Sequence, residues 1–376
     1  MSSFSPGEDV VRTDLDYICA ELSEEFSVLP GRRILIIGGA GFLGYYLVQS
    51  LLHLNATRFL PEGSDPVEVT VYDNFIRGVP GWLTALDADT HLTVTRYDIT
   101  HSLPSDMGQF DYIIHAASIA SPTYYRKFPI ETMDANVDGL RRVLDHCLAV
   151  QAAGTPVQGL LYYSTSEIYG DPDPANIPTP ETYRGNVSCT GPRACYDESK
   201  RYGETLCVNF AQQHGVPVKI ARPFNNYGPG LKITDKRVLP DFARDVLSGR
   251  DIVMLSDGSP TRTFCYIADA IVGYYKVLFR GRPGEAYNIG LDTSETSMAE
   301  LADKVVALGV ELFGYEGRVV RKESEDREYL TDNPNRRSPV LTKARSELGY
   351  DPKIGVDEGL RRAMIWYGDN REAEDA

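Results

Sequence analysis

Tyr196 and Lys200 lie four positions apart in the stretch GPRACYDESKR. In a helix that spacing puts both side chains on one face. A free tyrosine, with a pKa of ~10, is a poor base at neutral pH. A neighbouring ammonium favours the phenolate, which makes the pair a candidate for taking a proton from a hydroxyl. The same spacing arises by chance in many helices, so the assignment depends on what the rest of the chain places around it.

A second cluster, STSEIYG, sets Ser164, Thr165, Ser166 and Glu167 at the C-terminal end of an expected strand. Ligands of open α/β sheets sit at that end. Thr165 is suited to hold a substrate hydroxyl alongside Tyr196. Glu167 could abstract a proton, deliver one or order a water; the alternative is a strand-end ion pair.

Upstream, Gly38-Gly39-Ala40-Gly41-Phe42-Leu43-Gly44 follows an apolar run and precedes an apolar-periodic helix. Glycines there permit positive φ and close backbone approach to a pyrophosphate, which the helix N-terminus then faces. The alternative is a tight structural turn. The next strand, VEVTVYDN, closes on Asp73 and Asn74. Asp73 could accept hydrogen bonds from a ribose 2′- and 3′-hydroxyl and would repel a 2′-phosphate, so NAD is favoured over NADP. Arg77 is the nearby cation that argues the other way. Asp98 and Ile99 end the third strand, where Asp98 is either an adenine contact or a solvated acid. Ala116, Ala117 and Ser118 end the fourth. These residues complete the expected cofactor site.

The elements that must position these residues alternate. Strands are expected at 33–37, VEVTVYDN, LTVTRYDI, FDYIIHAAS, GLLYYSTSEIYG and VPVKIARPFN, with helices between them. That alternation predicts a Rossmann-type, doubly wound parallel sheet. A smaller C-terminal α/β lobe would bind substrate. Residues 1–30 read as an acidic helical extension and 31–223 as the dinucleotide domain, with a return segment at about 262–288. Residues 224–261 and 289–368 read as the substrate lobe, and 369–376 as a frayed, flexible tail.

The 376 residues carry a net charge of −15, which disfavours a nucleic-acid partner. No apolar run approaches the ~18–20 residues of a membrane span. The N-terminus lacks the apolar core of a signal peptide, so a cytoplasmic location is expected. The six cysteines form no C-x-x-C pair and the six histidines no H-x-x-x-H pair, so the sequence offers no metal site.

The motifs GGAGFLG, HAASIASP, YDESK and RPFNNYGP, with the more specific STSEIYGDP, GPRACYDESKR and DNPNRRSP, carry a family resemblance from about residue 31 to about 368. The chain resembles the extended short-chain dehydrogenase/reductases that modify nucleotide sugars, and within them the UDP-glucuronate decarboxylases. The resemblance implies NAD as cofactor and a UDP-sugar as substrate. Thr165, Glu167, Tyr196 and Lys200 match the family's catalytic positions, and Arg337 matches an arginine beside the reacting sugar. Arg262 and Asn225 match diphosphate-binding positions; Ser166, Arg193 and Arg237 join them as substrate-binding candidates. It also implies a homodimer formed through the helices after Pro129 and Tyr196.

The chemistry so implied is transient oxidation at C4 and loss of CO₂, giving UDP-xylose or its 4-keto form. A 4-epimerase shares the first step. A 4,6-dehydratase would use Glu167 but commonly pairs it with an aspartate, where this chain has Ser166. An NAD-binding protein without turnover is the non-enzyme reading, against which the joint presence of Thr165, Glu167, Tyr196 and Lys200 argues. The chain departs from the family pattern at Ser188, Cys189 and Thr190, expected near the substrate, and at Ser338-Pro339-Val340.

Overall fold

The computed structural model describes residues 4–104, 107–322 and 331–371. Its centre is a seven-stranded sheet built from β1 (Arg33–Ile37), β2 (Glu68–Asp73), β3 (Leu92–Arg96), β4 (Tyr112–His115), β5 (Gly159–Tyr163), β6 (Val218–Pro223) and β7 (Ala286–Ile289). The strand order is β7-β6-β5-β4-β1-β2-β3. All six pairings are parallel. The central strands are nearly continuous apolar runs because helices cover both faces of a parallel sheet; the last four residues of β1 and all of β4 and β5 are buried.

Chain order reverses between β1 and β4. The crevice at the carboxyl ends of these two strands is therefore the topological switch point, where ligands of doubly wound sheets bind. The helix Phe42–Leu54 starts there, directly after β1. The helix Ala194–His214, which carries Tyr196 and Lys200, packs beside β6. β5 is shorter than STSEIYG suggested: it ends at Tyr163, and Ser166–Tyr169 form a 3-10 turn capped by Thr165.

Past β6 the chain builds smaller pieces. Helix Val238–Leu247 and a three-stranded ribbon are the ones that matter for the crevice. In the ribbon, Thr261–Arg262 pairs with Thr296–Ser297 on one side and with Arg336–Arg337 on the other. The register sets Arg337 opposite Arg262. Two arginines 75 positions apart in sequence thus share one edge of the crevice.

The N-terminal segment is a capped helix, Pro6–Glu21, with Ser5 and Glu8 forming a reciprocal capping box. Its fully buried Asp14 accepts hydrogen bonds from the hydroxyls of Tyr46 at 2.5 Å and Tyr266 at 2.6 Å, and from Arg362 Nη1 at 2.8 Å. Those partners sit on or beside the dinucleotide-turn helix, the helix Ile267–Arg280 and the C-terminal helix Val356–Asn370. One buried carboxylate therefore ties four parts of the chain together. The expected frayed tail is corrected at its start: Asp369 and Asn370 belong to the last helix, and Asp369 Oδ2 accepts the Gly7 amide at 2.6 Å. Residues 372–376 lie outside the described residues. Among the described residues, no helix is long and apolar enough to cross a membrane.

Candidate active site

The glycine turn is shaped by contacts that tolerate no side chain. Gly38 has φ +81°, and a Cβ there would lie 2.5 Å from the Ala117 amide nitrogen. A Cβ on Gly44 would lie 2.0 Å from the Gly39 carbonyl oxygen. Gly44 consequently does not line the cavity; it lets the helix close onto its own turn. Gly41 is the helix N-cap and no side chain caps it, so the first amides of the helix face the cavity. Phe42 and Leu43 also line it.

The cavity has a volume of about 1170 Å³ and runs from this turn to the arginine ribbon. Asp73, Asn74, Arg77, Asp98, Ile99, Ala116, Ala117 and Ser118 all contribute to its wall. The Asp73 carboxylate caps the turn, accepting the Ala40 amide at 3.0 Å and the Phe75 amide at 2.8 Å. Burial raises its carboxyl above the usual range. Burial also acts on Asp98, but hydrogen bonds from Thr100 and Asn74 outweigh it and hold the carboxyl low. Arg77 is turned away from Asp73 and toward the opposite rim, where Nη1 meets Asp235 Oδ2 at 2.6 Å. Arg237 Nε reaches the same carboxylate at 3.0 Å.

At the far end, Tyr196 is buried and its ring stacks on Tyr125, with centroids 5.0 Å apart and planes 7° from parallel. Thr165 stands beside the Tyr196 hydroxyl and acts to lower the phenol's pKa. Thr165 Oγ1 in turn accepts the Glu167 amide at 3.2 Å. Lys200 Nζ donates to the Tyr163 carbonyl at 2.8 Å and lies 5.8 Å from the Tyr196 ring centroid.

The expected acidification of the phenol by this ammonium does not hold in the protein alone. Burial pushes the Tyr196 phenol up to about 12, with Thr165 acting against the rise. Burial also draws the Lys200 ammonium down to about 7. Lysine at i+4 shares the face, as helix geometry requires, but its charge is weakened by the same dry surroundings that raise the phenol.

Glu167 is held by three charged hydrogen bonds. Arg337 grips it with two parallel bonds, Nη1 to Oε1 at 2.6 Å and Nη2 to Oε2 at 2.7 Å. Arg193 Nη2 adds a third at 2.5 Å. Burial would raise its carboxyl, but the Arg193 and Arg337 guanidiniums win and hold it at about 2. Among the described residues, the hydrogen-bond acceptors of Arg262, next to this cage, are neutral: the carbonyls of Thr261, Pro334 and Asn335 and the Asn333 amide oxygen. Burial and the nearby like charge of Arg337 lower its pKa to about 9. A buried cation held by neutral groups is a ready receptor for an anion. Asn225, at φ +42°, lines the same stretch with its amide on the Thr263 carbonyl at 3.0 Å, and Ser166 is buried beside it in the wall.

One expectation needs revision. Ser188, Cys189 and Thr190 are exposed and none lines the cavity, so they are not substrate neighbours. Asp197, beside Tyr196 in sequence, is nearly fully buried against the cage and is a site residue that the sequence did not reveal. Its position directly after the tyrosine in an otherwise polar helix gave no periodicity signal.

A doubly wound parallel sheet, a glycine turn at its switch point and a Tyr-x-x-x-Lys helix across the crevice define the extended short-chain dehydrogenase/reductase class. Residues 34–290 match the NAD dependent epimerase/dehydratase family, and the chain belongs to it. UDP-glucuronic acid decarboxylase 3 of Arabidopsis thaliana is 37% identical over 334 residues, covering 88% of this chain and 87% of that protein. UDP-glucuronic acid decarboxylase 1 of Xenopus tropicalis is 34% identical, covering 89% of this chain and 72% of its own. Among solved structures, dTDP-glucose 4,6-dehydratase DesIV of Streptomyces venezuelae, determined with NAD bound, superposes with a TM-score of 0.75 at 27% identity, covering 90% of this chain and 98% of DesIV.

Proposed function

We propose that this protein is an NAD-dependent nucleotide-sugar enzyme that decarboxylates UDP-glucuronate, forming UDP-xylose or the 4-keto pentose. The observation that carries the reading is the arginine cage: two guanidiniums hold a carboxylate with three short bonds, next to the hydroxyl of Tyr196. A glucuronate carboxylate can take the same bonds in exchange for Glu167. An uncharged hexose has nothing to offer that cage.

The residues present suit the dinucleotide. The Gly38 backbone has no room for a Cβ, the uncapped helix start at Gly41 offers free amides, and Asp73 presents an anion where a 2′-phosphate would be repelled. NAD, when bound, supplies the acceptor that takes hydride from sugar C4 and can give it back. Tyr196 takes the proton of the C4 hydroxyl, and Thr165, beside the phenol, orients that hydroxyl. The resulting C4 ketone makes the C5 carboxylate a β-keto acid. Carbon dioxide leaves, the electron pair passes into an enolate, and Glu167 is in place to protonate carbon. Arg262, together with Asn225 and Arg237, is suited to the diphosphate. The sheet-forming segments 31–223 and 262–288 act as the cofactor unit, and 224–261 with 289–368 as the substrate unit.

The cage also argues against the alternatives. A 4,6-dehydratase needs no carboxylate receptor, and Ser166 takes the place of the usual acid. A 4-epimerase acting on glucuronate must keep the carboxyl group in place while a ketone is adjacent. The test is incubation with UDP-glucuronate and weighing of the product: loss of CO₂ supports the decarboxylase, and an isomer of unchanged mass refutes it. We further propose a homodimer. Ile130, Met133 and Tyr202 are 63%, 43% and 50% exposed on the helix Pro129–Asp134 and the Tyr196 helix, and light scattering at twice the chain mass is the expected result.

A further inference from the structure

The cage contains a second carboxyl group with no task so far. Asp197 is 4% exposed, and its Oδ2 lies 4.0 Å from Arg193 Nε. Among the described residues, its buried Oδ1 has no hydrogen-bond partner, and neither has Arg193 Nε. Arg193 therefore faces two acids by different edges: Nη2 is committed to Glu167 at 2.5 Å, and the Nε edge is turned to Asp197 and unused. From its own helix Asp197 faces Arg193 and Tyr196; from the 3-10 turn, Glu167; from the segment 331–337, Asp332 and Arg337; from the helix Pro122–Lys127, Tyr125.

We propose that Glu167 and Asp197 share a single proton, and that Arg193, lying between them, selects which of the two carries it. With Arg193 Nη2 on Glu167, the proton sits on Asp197. When a sugar carboxylate takes over the guanidiniums, Glu167 loses its counter-ions and Arg193 Nε becomes the partner of an ionised Asp197. The O–H bond of Asp197 breaks and one forms on Glu167; no electrons are exchanged and the pair keeps a net charge of −1. Glu167 is then a carboxylic acid at the moment an enolate needs a proton. Decarboxylation consumes one proton for each CO₂ released, and solvent restores it to the pair. Asp197 is a positioning residue in this scheme, acting through Arg193 and Glu167.

The electrostatics agree with the geometry. Burial and the Glu167 charge raise the Asp197 carboxyl well above the usual carboxylate range, while the Arg193 and Arg337 guanidiniums hold Glu167 below it. Two acids driven this far apart by one shared surrounding are a common arrangement for assigning acid and base roles.

This inference rests on the decarboxylase reading, and its test is separable from that reading. Holoenzyme carrying Tyr196→Phe, labelled with ¹³C at aspartate or at glutamate carboxyls, is examined by infrared difference spectroscopy at pH 7. Asp197→Asn in the same background identifies the Asp197 band. If that variant does not fold, titration of the band in the Tyr196→Phe chain identifies it by a midpoint well above the usual carboxylate range. Addition of UDP-glucuronate is expected to remove a protonated aspartate band and create a protonated glutamate band; UDP alone, lacking the sugar carboxylate, is expected to leave both unchanged. An aspartate band that persists with UDP-glucuronate, or an Asp197 already ionised at pH 7, overturns the proposal. With Tyr196 intact, Asp197→Asn is expected to lower kcat on the order of 10²-fold with KM little changed, and an unchanged kcat also overturns it. Absence of CO₂ from the Tyr196-intact enzyme refutes the decarboxylase reading instead, and the band test stands apart from it.

Discussion

Lys200→Met gives a stability change whose sign depends on pH. Lys200 is buried in the Tyr196 helix, with its ammonium on the Tyr163 carbonyl. Its pKa falls from 10.5 to about 7 in the fold, and desolvation is the leading cause. Below pH 7 the folded protein carries the full cost of the buried charge. Between pH 7 and 10.5 the unfolded chain holds a proton that the fold has released, so stability rises with pH at ~1.4 kcal/mol per unit. The whole span amounts to about 5 kcal/mol. Methionine removes the charge at similar length but leaves the Tyr163 carbonyl unpaired, at about 1–3 kcal/mol. At pH 6 the variant should therefore be the more stable protein, by about 2–4 kcal/mol. Its advantage should shrink through neutral pH and reverse by about pH 9–10. Urea midpoints for both proteins between pH 6 and 10, at equal cofactor content, measure this directly. Parallel curves would show that Lys200 titrates normally and that the site is wetter than its geometry indicates. The same variant is expected to lose turnover.

Three other outcomes follow from the geometry. Gly44→Ala places a methyl 2.0 Å from the Gly39 carbonyl, so NAD affinity measured by titration should fall at least ~10-fold, with about 1–3 kcal/mol lost in stability. Asp14→Ala leaves Arg362 and two buried tyrosines without their shared acceptor, and the denaturant midpoint should drop by the equivalent of about 3–5 kcal/mol while the cavity residues stay in place. Arg262→Ala should weaken UDP binding by about 10–100-fold in calorimetry, because the cation proposed for the diphosphate is gone, with NAD affinity unchanged.

The local signals in the sequence were strong where a backbone rule applied. Gly38 to Gly44 required a turn, the apolar runs required buried strands, and Tyr196 with Lys200 required a shared helix face. Short elements were harder to read. Arg262 and Arg337 meet through two-residue strands whose pairing no local pattern encodes. The sequence reads Glu167 as a proton-transfer group or a strand-end ion pair; its three arginine bonds come from segments 26 and 170 positions away. The acidity expected of Tyr196 failed because helix spacing predicts proximity but not burial, and burial dominates both groups. The N-terminal helix was visible as a helix, yet its role as a tie between Tyr46, Tyr266 and Arg362 depends on contacts that no spacing announces.

The cage of Arg193 and Arg337 beside Tyr196 is the centre of the account, and the fate of a labelled carboxyl group tests it. UDP-glucuronate carrying ¹³C at C6 is incubated with the NAD-loaded enzyme, and the label is followed into gas and nucleotide sugar. The account predicts one ¹³CO₂ for each pentose product, with none from the Tyr196→Phe variant. Label retained at C6 in a sugar consumed by the enzyme would contradict it.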